Sequence, residues 1–76
     1  MKQNTAVRLD GMVEEALPGL FFKVIVYPRE GGEKKEILAH LAGKMKINRI
    51  KVIPGDRVIV EIPDLNDRRG RIVRRL

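Results

Sequence analysis

Ala42-Gly43-Lys44-Met45-Lys46-Ile47-Asn48 interrupts a chain that otherwise alternates between apolar and polar residues. Ala42, Met45 and Ile47 are spaced for one or two helical turns, not for a strand, and Asn48 is placed to cap the end. Three alternating runs come before it. In the first, Val7, Leu9, Gly11 and Val13 alternate with Arg8, Asp10, Met12 and Glu14, and Gly11 permits a bulge or the sharp bend of a closing sheet. Leu17-Pro18-Gly19-Leu20 then carries a type II turn signal, with proline at the second position and glycine at the third, where φ must be positive. In the second run, Phe22, Val24 and Val26 alternate with Phe21, Lys23, Ile25 and Tyr27. Pro28 to Lys35 is polar, contains Gly31-Gly32 and reads as the loop of a long hairpin. Glu36 to Leu41 supplies the third strand.

Two runs follow the interruption. Ile50 to Ile53 is a short extended lead into the turn Pro54-Gly55-Asp56, after which Val58, Val60 and Ile62 mark a fourth strand. Pro63 to Arg69 is a polar loop closed by Gly70, and Arg71 to Arg75 forms the fifth strand. A flat sheet of five strands would expose two long edges, whereas a closed barrel removes them. An all-β, five-stranded barrel with a short helix between strands 3 and 4 is the OB-fold arrangement. An SH3-like barrel also has five short strands, but its helical insertion falls near the last one. Residues 1–76 read as a single OB-fold domain, with residues 1–5 a flexible N-terminus.

Composition excludes several function classes. There is no cysteine, so disulfides, thiolate metal ligands and thiol nucleophiles are absent. His40 is the only histidine, which forbids a zinc site built from imidazoles. Apolar runs such as Leu20-Phe21-Phe22 and Val58-Ile59-Val60 are far shorter than the roughly 20 residues of a membrane span. The polar start, Met1 to Thr5, shows no signal peptide, so a cytoplasmic location is expected. The net charge of +6 is segregated: residues 1–43 carry six basic and six acidic side chains, residues 44–76 ten basic and four acidic. A segregated excess points to a face that meets a polyanion.

Two basic clusters hold that excess. Lys44, Lys46, Arg49 and Lys51 surround the short helix, and Arg68, Arg69, Arg71, Arg74 and Arg75 crowd the end of the chain. Such groups neutralise phosphates and release counterions, and arginine adds bidentate hydrogen bonds and stacking. In a barrel whose fourth and fifth strands pair, the clusters lie near one another. Only Phe21, Phe22 and Tyr27 are aromatic. Phe22 has the parity of the core, and Phe21 and Tyr27 have the opposite parity. Much charge and few stacking platforms favour a folded RNA surface over the coating of single strands. His40 has no partner nucleophile, so catalysis is not expected. The acids lack metal-ligand spacing, and Gly31-Gly32 and Gly43-Lys44 lack the spacing of a phosphate loop. No metal and no cofactor is expected.

His40-Leu41-Ala42-Gly43-Lys44-Met45-Lys46-Ile47-Asn48, with Ile50, Lys51 and Pro54-Gly55-Asp56-Arg57-Val58, resembles the signature of the bacterial translation initiation factor one family. Gly11 to Pro18 is similar to that family's first strand and turn, and Gly70-Arg71-Ile72-Val73 to its last strand. The resemblance spans roughly residues 7–75. It implies a non-enzymatic factor, a monomer when free, that sits in the decoding (A) site of the 30S ribosomal subunit. There the family contacts 16S rRNA and a ribosomal protein, works with initiation factors two and three, and blocks premature tRNA entry. By position, Lys44, Lys46, Lys51, Arg69 and Arg71 match basic positions associated with rRNA contact, with His40 and Asn48 beside them. Arg49 and Arg74, from the basic clusters, complete the candidate set.

The chain departs from the family in a few places. Ile47 stands where a basic residue is common and Arg49 where an aromatic is common, as if one charge had moved two positions. The Pro28–Lys35 loop is longer than usual, and Pro63 to Asp67 lacks the usual tyrosine. Arg74 replaces an often apolar residue, which leaves either face of strand five free to point inward. Two other functions stay open: a general single-stranded RNA-binding chaperone of the cold-shock type, and an OB-fold protein–protein adaptor.

Overall fold

The computed structural model describes residues 6–27, 33–64 and 66–76. Five strands and one helix follow in the order β1 (Val7–Leu17), β2 (Phe21–Val26), β3 (Lys35–Leu41), α1 (Gly43–Ile47), β4 (Arg57–Ile62) and β5 (Arg69–Arg75). They close into a barrel with strand order β1-β2-β3-β5-β4, all pairs antiparallel except β3 with β5. This is the OB-type barrel that the interrupted alternation predicts. The proposed flexible N-terminus and residues 28–32 of the long hairpin loop lie outside the described residues.

Alternation explains the core. Val13, Val24, Val26, Ile37, Val58, Val60, Ile62 and Ile72 are fully buried and fill the barrel, and no polar side chain is buried among the described residues. Each such aliphatic contributes about 1.5–3 kcal/mol by leaving water. Phe22 joins this core while Phe21 and Tyr27 are exposed, as their parity predicts. The helix docks through Met45, its one buried residue, and the Ala42 amide donates to the Ile72 carbonyl at 2.9 Å. Ile47 does not share that buried side. It is 81% exposed, so the expected apolar spacing holds for Met45 and fails at Ile47.

β1 and β5 run longer than alternation alone marks them. β1 continues past Glu14 to Leu17, because β2 supplies hydrogen-bonding partners that the polar sequence does not advertise. β5 begins at Arg69, where Leu38 pairs with it across the parallel closure. The expected turn is present: Gly19 has φ 80°, followed by Leu20, also left-handed at φ 62°.

Of the bulge or sharp bend that Gly11 permits, the bulge falls elsewhere. The register between β1 and β2 shifts between Val13 and Glu15, beyond the glycine. Gly11 instead permits close approach. It faces Val26 on β2 and Val58 on β4, and an added Cβ would lie 2.7 Å from Val24 Cγ1 and 2.8 Å from the Ile25 carbonyl oxygen. A backbone oxygen on an adjacent strand cannot yield as a side chain can. Gly11→Ala is expected to lower unfolding stability by about 1–3 kcal/mol in urea titration, with no change in the m-value.

Candidate nucleic-acid interface

Barrel closure sorts the outward side chains into rows. Leu17 pairs with Phe21, Phe21 with His40, His40 with Arg71, Arg71 with Glu61, and Glu61 with Arg8. Residues paired across strands project on the same side of a sheet, so this row runs around the outside of all five strands. The Phe21 and His40 rings meet edge to face with centroids 6.4 Å apart. Beside them, Lys23, Leu38 and Arg69 form a neighbouring row. The structure thus brings His40, Arg69 and Arg71 together, and adds Phe21, 41% exposed, to them.

Lys44, Lys46, Asn48, Arg49 and Lys51 lie on and just after α1. Asn48 occupies the C-cap with φ −84°, so it is not the left-handed residue of a helix end. That role falls to Arg49, at φ 55°. The Ile50 amide donates to the Met45 carbonyl at 3.0 Å and the Arg49 amide to the Lys46 carbonyl at 3.2 Å. This is the double hydrogen bond of a Schellman end, with Ile50 packed against the core. Glycine is the usual occupant of Arg49's position, because a Cβ there crowds the backbone.

The two clusters converge at the end of β5. Lys44 and Arg74 line one cleft, and Arg75 Nη1 donates to the Lys51 carbonyl at 3.0 Å. Arg74 points outward, and the inward residue of β5 is Ile72. Both clusters are left with charge to spare. Among the described residues Lys44, Lys46, Arg49, Lys51, Arg69 and Arg74 make no ion pair, whereas Lys23 pairs with Glu15 at 3.3 Å and Glu36 at 3.9 Å. The hydrogen bond from Lys23 to Glu15, then the nearby Glu36 charge, raises the lysine pKa. Lys23 is thus held by acids of the first half, while six cations of the two clusters are left without one among the described residues.

Sequence inspection missed Glu61 and Arg8. Arg71 donates to Glu61 Oε1 from Nη2 at 2.8 Å and from Nε at 3.0 Å, and Arg8 Nε donates to Oε2 at 3.2 Å. The carboxylate, only 13% exposed, is held below its ordinary pKa first by the Arg71 hydrogen bond and then by that of Arg8. Strand parity places both residues outward, but only closure of β1 on β4 sets Arg8 opposite an acid 53 positions away. Among the described residues no group of three metal-ligating side chains gathers, and no helix is long and apolar enough to cross a membrane.

Comparison with known proteins fixes the lineage. The family model "Translation initiation factor 1A / IF-1" matches residues 2–76. The chain belongs to the Translation initiation factor 1A / IF-1 family. The solution structure of translation initiation factor one from the Wolbachia endosymbiont strain TRS of Brugia malayi is 38% identical, with a TM-score of 0.67. The match covers 99% of this chain and 83% of that one. YjeQ from Thermotoga maritima is 31% identical at a TM-score of 0.67, over 92% of this chain but 23% of that one, so the chain spans about a quarter of that protein's length. The family consists of non-enzymatic RNA-binding OB-fold factors of translation initiation, which implies ribosome association.

Two consequences of the site geometry are measurable. Arg49→Gly is expected to raise stability by about 0.5–1 kcal/mol, a few degrees in thermal melting, because glycine relieves the left-handed strain. Glu61, with its folded pKa depressed, stabilises the fold where it is ionised, and this contribution is lost as pH falls through that lowered value. Parent and Glu61→Gln should therefore differ at pH 7, by about 1 kcal/mol or less, and converge in urea titrations once the pH has fallen through the lowered pKa of Glu61.

Proposed function

We propose that this initiation factor occupies the decoding (A) site of the 30S subunit, held on 16S rRNA and a neighbouring ribosomal protein. It acts there with initiation factors two and three and blocks premature tRNA entry. The observation that carries this reading is the convergence of the two basic clusters at the end of β5, where Lys44 meets Arg74 and Lys51 meets Arg75, in a chain of this family. Lys44, Lys46, Lys51, Arg69 and Arg71 contact phosphates, and Asn48, Arg49 and Arg74 border them. Phe21 and His40 offer one platform, enough for a single unstacked base and too little to coat a strand. That favours a structured RNA over the single strands of a cold-shock chaperone. The chain works as one RNA-binding domain, monomeric when free, in the cytoplasm and without a cofactor.

Cosedimentation with 30S subunits tests the reading. Binding is expected at low salt, with a log–log salt slope of about −4 to −6 if five to seven phosphates are neutralised. Reversing Lys44, Lys46 and Arg69 to glutamate should abolish it while leaving the circular dichroism spectrum and melting transition in place. Salt-insensitive binding, or binding that survives the triple reversal, moves the interface elsewhere.

A further inference from the structure

The β1–β4–β5 side of the barrel, away from Phe21, carries a cleft of about 400 Å³ lined by Arg8, Asp10, Lys44, Ile59, Val73 and Arg74. We infer that it binds the phosphate monoester of a nucleotide, with the base on Ile59 and Val73. This goes beyond the ribosomal reading and does not require it, although Lys44 and Arg74 serve both.

A β-bulge builds the cleft. Ile59 pairs with Arg74 and Val60 with Ile72, which leaves Val73 as the extra residue on β5. Strict alternation from the buried Ile72 would turn Arg74 inward. The bulge keeps Val73 and Arg74 on the outer side together, opposite Ile59, a common use of bulges beside binding sites. Asp10 pairs with Ile59 across the other edge of β4, so Asp10, Ile59 and Arg74 form one row. Ile59 and Val73 are half-buried and give the row an apolar floor.

Charge selects the ligand. Arg8, Lys44 and Arg74 against Asp10 leave an excess of two positive charges, matching the roughly −1.5 to −2 of a phosphate monoester at pH 7 better than the single charge of a diester. Arg8 engages Glu61 through Nε, so its two terminal nitrogens remain outside that bond. Glu61 holds this arginine at the rim of the cleft while leaving its fork able to donate. Lys44 and Arg74 make no ion pair among the described residues. Asp10, an acceptor at the same rim, suits the hydroxyl donors of a ribose. The volume falls within the range of small-ligand sites, about 300–1,000 Å³. Such a monoester occurs on a free nucleotide or at a 5′-phosphorylated RNA end.

Amide chemical-shift titration of the full chain with adenosine 5′-monophosphate tests the inference, with adenosine and inorganic phosphate as controls. Saturable shifts are expected at Arg8, Asp10, Lys44, Ile59, Val73 and Arg74, with each control binding at least tenfold more weakly. Arg8→Gln should weaken the nucleotide about tenfold, the loss of one charge-assisted contact. His40→Ala should leave it unchanged. An RNA tetranucleotide with and without a 5′-phosphate separates the sources. Tighter binding of the phosphorylated RNA than of the mononucleotide assigns the cleft to an RNA end, and equal or weaker binding to a free nucleotide. Shifts centred on Phe21 and His40, equal binding of inorganic phosphate, an unaffected Arg8→Gln variant or no saturation would each overturn it. Ribosome binding plays no part in these readouts, so either proposal can fail alone.

Discussion

β1 is hydrogen-bonded along both of its edges, and the outside of the barrel is organised by that one fact. Its first half pairs with β4 from Val7 to Met12, its second half with β2 from Gly11 to Leu17, and Gly11 and Met12 belong to both ladders. Where the two ladders overlap, the missing side chain of Gly11 lets β2 lie close over β1. β4 closes on β1 and β5 closes on β3, and the register of all five strands is set. Because side chains alternate with a period of two, a slip of one residue anywhere would turn the outward row into the core. The buried aliphatics of every strand oppose that slip together.

The fixed register distributes charge unevenly. On β2 and β3 an outward cation meets acids within reach, as Lys23 meets Glu15 and Glu36. On β4 and β5, Glu61 alone faces Arg8 and Arg71, and its two oxygens are divided between them. The remaining cations of the second half make no ion pair among the described residues, so a polyanion can reach them without displacing a partner. The same end of the molecule carries its local costs. Arg49 sits in a backbone conformation suited to glycine, and Ile47 presents an almost fully exposed side chain between Lys46 and Asn48. Neither arrangement helps the folded chain by itself. Strain and exposed apolar surface gathered beside unpaired charge fit a surface whose partner is elsewhere.

How far the sequence can be read follows from which forces are local. Parity along a strand is local, so the core and the outward position of Phe21, Tyr27 and His40 are legible from alternation. The helix between the third and fourth strands is legible because Met45 breaks that alternation. What cannot be read depends on distant pairing. Arg8 and Glu61 are 53 positions apart, and nothing near either residue announces the other. The bulge at Val73 is likewise a property of two strands, and it decides that Arg74 faces outward where alternation alone leaves the choice open. Asn48 suits the helix end by residue type, yet the hydrogen bonds to Lys46 and Met45 place the left-handed turn one residue later, at Arg49. Side-chain preference yields there to the position at which Ile50 can pack against the core.

A TM-score of 0.67 to both an initiation factor and YjeQ shows how little the barrel shape alone decides. The difference lies in what accompanies the barrel. In YjeQ the matched region is under a quarter of the chain, whereas in the initiation factor it is most of it. A barrel that makes up most of a protein must do its binding on its own exterior, because its interior is filled. Here that interior is aliphatic, and no polar side chain is buried among the described residues. Recognition must then come from rows of outward residues, and closure of the strands is what aligns those rows. The glycine that lets β2 lie close over β1 is thus part of the same closure that brings outward arginines together: without the closed register, Arg8 and Arg71 would not flank Glu61.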